Sequence, residues 1–137
     1  MSVKFDMVSI FVTDMARMIT FYRDILGLEV AWDGSSPYAE FTHDGVRFSM
    51  FERAQVPEML GREVTYVNGL NGTFALVLDV PCYTDVDESY KRLVSSGVSA
   101  VRPPRSEPWG ARSAYIADPD GNLIEIASWN QCQSEED

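Results

Sequence analysis

The feature that most constrains this chain is a pattern that occurs twice. Alternation of apolar and polar residues, then helical spacing, then more alternation runs through residues 5–53 and returns through 73–130. In the first copy Val8, Ile10 and Val12 alternate with Met7, Ser9 and Phe11, the period of two that marks a strand with one face on a core. Asp14 stands where a helix cap belongs. Met15, Met18, Ile19, Tyr22, Ile25 and Leu26 follow at helical spacing as far as Gly27, a natural stop. Strands are expected next at 28–32, 38–42 and 46–52, parted by the turn pairs Asp33-Gly34 and Asp44-Gly45.

The second copy predicts a strand at 73–80, a helix from about Asp85 to Gly97, and strands near 99–101, 112–117 and 123–129. Local echoes support a repeat: Ile25-Leu26-Gly27-Leu28 corresponds in role to Val94-Ser95-Ser96-Gly97-Val98, and Asp44-Gly45-Val46-Arg47-Phe48 to Asp120-Gly121-Asn122-Leu123-Ile124. A four-stranded unit cannot cover its own apolar face, so two copies in one domain over 1–137 make the sensible unit. The length of 137 residues and 45% hydrophobic content suit one such domain. The connector, 54–72, carries Pro57, Gly61, Gly69 and Gly72 among Met59, Leu60, Tyr66 and Leu70. A connector of this length serves either as a lid or as a surface linker.

Four phrases carry a family resemblance: Val12-Thr13-Asp14-Met15, Phe21-Tyr22-Arg23-Asp24-Ile25-Leu26-Gly27-Leu28, Pro108-Trp109-Gly110 and Asp118-Pro119-Asp120-Gly121-Asn122-Leu123-Ile124-Glu125. In this order and spacing the chain resembles the vicinal-oxygen-chelate superfamily, which contains glyoxalase I, extradiol dioxygenases and bleomycin-resistance proteins. The resemblance implies an α+β fold in which two βαβββ modules form a curved mixed sheet around a cavity, and it implies a homodimer. In the metalloenzymes of that superfamily, four cavity-facing strand positions supply His, Glu or Gln to a divalent metal.

Carried onto this sequence, those positions fall on Met7, Ser49, Ala75 and Glu125. A thioether is a poor ligand for such metals, and a hydroxyl and a methyl group do not replace imidazole or carboxylate. No metal or other cofactor is therefore expected. An Asp79–Glu125 site is the unconventional alternative, and the one histidine, His43, precedes a turn and reads as a solvated side chain.

Alternation collects Met7, Ser9 and Phe11 with Arg47, Ser49 and Phe51, then Thr73, Ala75 and Val77 with Glu125, Ala127 and Trp129, on one side of the sheets. Aromatic surface with scattered polar groups suits a small-molecule pocket. Arg47 and Glu125 either pair with each other or meet a ligand of opposite charge. Trp109, by resemblance, stands near the cavity mouth and can stack on a planar ligand. The candidate ligand-binding set is Met7, Ser9, Phe11, Arg47, Ser49, Ala75, Trp109, Glu125 and Trp129, with Glu125 also the candidate general base. Trp32, Tyr38 and Tyr66 read as ordinary strand or loop aromatics. The opposite faces, Val8/Ile10/Val12, Phe74/Leu76/Leu78/Val80 and Ile124/Ile126, are expected beneath the helices.

The remaining features exclude more than they assign. A net charge of −10 disfavours contact with nucleic acid or anionic membrane, and the tail Ser134–Asp137 reads as a solvated acidic end. The N-terminus reads as a strand rather than a signal peptide, and no apolar run is long enough to cross a membrane. Cys82 and Cys132, far apart and without CxxC spacing, are expected to be reduced, with no disulfide, in a cytoplasmic protein. Nucleophile-elbow, phosphate-loop and dinucleotide motifs are absent from the sequence. These readings favour a metal-independent small-molecule-binding protein. The alternatives are a metal-dependent glyoxalase-like lyase, isomerase or dioxygenase with an atypical ligand set, and a bare structural module.

Overall fold

The computed structural model describes residues 2–132, so the acidic tail Ser134–Asp137 lies outside the described residues. The chain divides into two compact units between Tyr66 and Val67, inside the connector. Each unit is built on a four-stranded mixed sheet, and neither sheet is closed.

In the first unit the elements run β1 (Met7–Val12), α1 (Met15–Ile19), β2 (Val30–Ala31), β3 (Tyr38–Phe41) and β4 (Arg47–Glu52), with strand order β1-β4-β3-β2. The outer strand β1 is parallel to β4, and the other pairs are antiparallel. Asp14 caps α1 as expected, its Oδ1 accepting the Arg17 N–H at 3.2 Å. The helix then widens into a π-helical stretch, Thr20–Ile25, where the Leu26 N–H reaches back five residues to the Phe21 carbonyl. Two consecutive aromatics in this stretch, Phe21 and Tyr22, are both buried. Tyr22 meets Phe21, Phe41 and Phe48 edge-on with ring centroids 5.0–5.9 Å apart, and Phe41 stacks on Phe48. Each such pair adds about 1 kcal/mol beyond burial alone. The expected strand at 28–32 shrinks to two residues. After β4 the connector forms a 3₁₀ turn, Arg53–Gln55, and a short helix α2 (Val56–Leu60), with the Arg53 guanidinium over the Tyr66 ring and its Nε donating to the Phe11 carbonyl.

The second unit repeats this order: β5 (Asn71–Asp79), α3 (Tyr83–Ser95), β6 (Ser99–Ser106), β7 (Arg112–Ala117) and β8 (Asn122–Ser128), arranged β5-β8-β7-β6. Strand β6 runs five residues past its expected end, through Pro103 and Pro104. Prolines are tolerated there because β6 is an edge strand with an irregular register. The β7–β8 turn is organised by buried Asp118, whose Oδ1 accepts the Asp120 and Asn122 N–H groups and whose Oδ2 accepts the Asn122 side-chain amide, each at 2.9 Å. Helix α3 lies across β6, β7 and β8, and the bidentate Arg112–Asp87 pair, both contacts 2.6 Å, ties it to β7.

Two expectations fail in this unit. Residues Phe74, Leu76, Leu78 and Val80 do not form a fully covered face, because α3 covers the other three strands and β5 is left outside it. Phe74 remains 38% exposed and Val77, on the other face, 59%. Cys82 and Cys132 are joined in a disulfide, with Cα atoms 5.4 Å apart. Sequence distance concealed the pairing: β8 runs back parallel to β5, so its end emerges beside the residues that precede α3.

Candidate functional site

Register decides which side chains share a face. In unit one Met7 lies beside Arg47, Ser9 beside Ser49 and Phe11 beside Phe51, and β3 adds Glu40 opposite Ser49 and Tyr38 opposite Phe51. The expected set on β1 and β4 therefore occupies one face, joined by two residues from β3.

That face is an ionic and hydrogen-bonded network. Arg47 donates to both Glu40 oxygens, Nε to Oε1 at 2.7 Å and Nη2 to Oε2 at 3.1 Å, while Nη1 reaches Asp6 at 3.0 and 3.1 Å. The Tyr38 hydroxyl donates to Glu40 Oε2 at 2.9 Å and lies 3.7 Å from the Met7 sulfur. Ser9 and Ser49 share a hydroxyl hydrogen bond of 2.5 Å. The Arg47 guanidinium, then the Tyr38 hydroxyl, hold the Glu40 carboxyl down to about 2. Burial, then the neighbouring Glu40 charge, push the Tyr38 hydroxyl up. Arg47 is thus held by Glu40 and Asp6 rather than by Glu125.

In unit two Glu125 lies between Val77 on β5 and Tyr115 on β7, and Ala75 lies beside Leu123. Arg47 and Leu123 each stand two residues after the turn glycine, so Met7 and Ala75 occupy equivalent places in the two ladders, as do Ser49 and Glu125. The Tyr115 hydroxyl donates to Glu125 Oε1 at 2.7 Å, and burial followed by that carboxylate raises the hydroxyl's pKa. Arg102 sits over the Tyr115 ring, 5.0 Å from its centroid, and also reaches Glu107 and Ser113. Glu107, its side chain 2% exposed, accepts from Arg102, Arg105 and Ser113 through one oxygen. The Arg105 guanidinium leads in holding its carboxyl below the usual range.

Trp109 and Trp129 are 59% and 65% exposed. Trp109 tops the β6–β7 turn, where the Glu107 carbonyl accepts the Gly110 N–H and the Tyr83 hydroxyl donates to the Gly110 carbonyl. Trp129 follows the end of β8. His43 is exposed, as expected of a turn residue.

A groove of about 480 Å³ opens in unit one, lined by Ala31, Trp32, Asp33, Ser36 and Tyr38. None of the expected ligand-binding residues lines it. Trp32 and Tyr38, read from sequence as ordinary aromatics, form its walls, with the Trp32 indole N–H fixed on the Ser36 carbonyl at 2.8 Å. Glu40 was missed as well. Its signal lay in the alternation Tyr38, Glu40 on one strand followed across a short turn by Arg47 and Ser49.

The donor set at the four metal positions does not fit a divalent ion: it comprises a thioether, a hydroxyl, a methyl group and one carboxylate already bonded to Tyr115. Among the described residues no three His, Cys, Asp or Glu side chains are placed to share a metal. Buried side-chain nitrogen and oxygen atoms among the described residues all have partners.

The model of the Glyoxalase/Bleomycin resistance protein/Dioxygenase superfamily matches residues 4–126. The chain belongs to that superfamily. It is 33% identical over 122 residues to the uncharacterized protein YraH of Bacillus subtilis, covering 87% of this chain and 93% of that one. A glyoxalase-related enzyme from Fulvimarina pelagi superposes with a TM-score of 0.78 at 26% identity, covering 91% of this chain and 87% of its own. A glyoxalase/bleomycin resistance protein/dioxygenase from Nocardioides gives a TM-score of 0.76 at 21% identity over 100% of this chain and 90% of its own, which speaks for the fold alone. No helix among the described residues is long and apolar enough to cross a membrane.

Proposed function

We propose that this superfamily member is a metal-independent small-molecule-binding protein that holds an aromatic or amphipathic organic ligand, its two modules acting as one domain. The observation that carries the reading is how the carboxylates at and beside the positions that hold metal in the family's metalloenzymes are engaged. Both Glu40 oxygens are taken by Arg47, and one Glu125 oxygen accepts from Tyr115, so neither offers two free oxygens to chelate a divalent cation. Groups fixed this way orient a ligand by hydrogen bonding, while Phe11, Phe51 and the groove aromatics Trp32 and Tyr38 supply apolar area. Met7 and Ser9 on β1, Ser49 on β4 and Ala75 on β5 complete the set, and Trp109 and Trp129 are the exposed stacking surfaces. The protein works in the cytoplasm as a homodimer, in which a second copy covers the open edge of β5. That edge strand of nine residues carries no charge between Asn71 and Leu78, which makes it a poor surface to leave in water.

The competing reading is a metal-dependent lyase, isomerase or dioxygenase. It draws on the 26% identical glyoxalase-related enzyme and on Glu125 retained at one position, where it would act as ligand or general base. One experiment separates the two. Protein purified without chelator or affinity tag is analysed for first-row metals beside Glu125→Ala, then titrated with aromatic compounds while tryptophan emission is followed in wild type and Trp32→Phe. Trace metal with saturable, Trp32-dependent quenching supports binding. About one metal per chain, lost in Glu125→Ala, overturns it.

A further inference from the structure

The pair Cys82 and Cys132 lies outside the machinery described above, and its surroundings bring the two sulfurs together independently of the bond between them. The parallel β5–β8 ladder continues past both strands: the Val80 N–H donates to the Ala127 carbonyl and the Tyr83 N–H to the Asn130 carbonyl, each at 2.9 Å. The Ser128 hydroxyl adds a bond to the Pro81 carbonyl at 3.2 Å and receives the Asn130 N–H at 3.1 Å. Residues 80–83 and 127–130 are thereby stitched side by side, leaving the cysteines 5.4 Å apart at Cα, within the span a disulfide bridges. Beyond Asn130 the sulfur bond is the main tie to the start of α3, since the Cys132 N–H to Asn130 Oδ1 bond at 3.3 Å and the Asn130 side-chain amide to Cys132 sulfur contact at 3.1 Å are both local to residues 130–132. Cys132 is solvent-exposed and adopts φ +46°, a left-handed conformation that a non-glycine residue takes up at a cost. An exposed disulfide is open to attack by an external thiolate, and exposed bonds are the readily reduced ones.

We propose that Cys82 and Cys132 form a reversible redox clasp, open as two thiols under reducing conditions and closed by exchange with a low-molecular-weight disulfide such as oxidised glutathione. One cysteine thiolate attacks a sulfur of the reagent, forming a mixed disulfide and releasing one glutathione thiolate. The second cysteine thiolate then attacks the protein sulfur of that mixed disulfide and releases the other. The protein gives up two electrons and two protons, and the reagent is reduced to two thiols. Closing the clasp fixes Gln131 and Cys132, which follow exposed Trp129 and Asn130, against the start of α3. Residues 131–132 therefore become ordered on oxidation. The same chemistry accommodates a disulfide in a protein whose working compartment is reducing.

The test uses the full chain in glutathione buffers of graded ratio, with free thiols trapped by alkylation and counted by intact mass, and amide exchange followed over 128–132. Native protein is expected to pass directly between two alkylations and none, because a preorganised partner resolves the mixed disulfide quickly. Cys82→Ser and Cys132→Ser should instead accumulate a glutathione adduct, and exchange over 128–132 should slow on oxidation. Two trappable thiols at the oxidising end would overturn the proposal. So would a bond that monothiols open only in denaturant, or tail exchange indifferent to redox state. The wild-type titration alone is decisive if a serine variant fails to fold.

Discussion

Replacing Gly121 by alanine should cost far more than making the same change at its counterpart in the other module, Gly45. Both glycines end an Asp-Gly turn pair and both have positive φ, +87° and +111°, so alanine at either costs about 1–2 kcal/mol from backbone conformation. Around Gly45 a new Cβ meets nothing within 4 Å, whereas at Gly121 it would lie 2.1 Å from the Gly69 carbonyl oxygen and 2.9 Å from the Gly69 carbonyl carbon. Both atoms are backbone, so the connector itself must move by more than an ångström, and the 2.7 Å bond from the Asn71 N–H to the Gly121 carbonyl goes with it. That bond is worth about 1 kcal/mol. With residual strain, Gly121→Ala should destabilise by about 3–4 kcal/mol, against about 1–2 for Gly45→Ala. At about 0.3 kcal/mol per kelvin for a chain of this size, the larger value lowers Tm by roughly 10 °C. Equilibrium urea unfolding of the two variants measures the difference. A Gly121→Ala variant no less stable than Gly45→Ala would refute the claim that the connector is seated on the β7–β8 turn.

Two further outcomes follow from the same geometry. Glu40 has a folded pKa of about 2, below its ordinary value, so its contribution to stability is present above the ordinary carboxylate range and lost as pH falls toward 2. The urea-midpoint gap between wild type and Glu40→Gln should be flat above about pH 5 and shrink between about pH 4.5 and 2; a gap that stays constant would remove the Arg47 clamp from the argument. For the dimer, Val77→Asp places a charge on the exposed β5 strand and should yield monomer in sedimentation velocity at concentrations where wild type is dimeric, while wild type that is itself monomeric rejects the pairing.

The fold was largely legible because two periodicities and their punctuation agreed. Asp14 caps where expected, and the Asp118-Pro119-Asp120-Gly121-Asn122 string makes the turn its composition suggests. The misses have physical causes. Strand β6 runs on through Pro103 and Pro104, which its edge position makes acceptable. The π-helical widening at Thr20–Ile25 leaves the helical spacing of apolar residues intact, so a spacing count does not register it. The disulfide depends on where the β8 exit falls in space. The candidate site was harder still. Alternation identified Met7, Ser9, Ser49 and Glu125 on their faces, but the partners that set their chemistry, Glu40 and Tyr115, come from antiparallel neighbours whose register is decided by turns.

Those antiparallel neighbours bear on why the two modules differ. At equivalent places in the repeat, Ser49 faces Glu40 and Glu125 faces Tyr115, so each module keeps one carboxylate and one hydroxyl-bearing residue but on opposite strands of the pair. Moving the carboxylate from β4 to β3 puts it within reach of Arg47 on β4, and the resulting bidentate pair costs it any capacity to neutralise a second cation. In module two the carboxylate stays on β8, and its neighbour Tyr115 is a donor that occupies one oxygen without cancelling the charge. The second Glu125 oxygen keeps its capacity to accept a hydrogen bond. A ligand that meets this face of unit two should offer a donor or positive group toward Glu125. The ligand library for the fluorescence titration should accordingly pair planar aromatic cations with their neutral isosteres, because only the Glu125 contact distinguishes the two and Glu125→Gln should remove the preference.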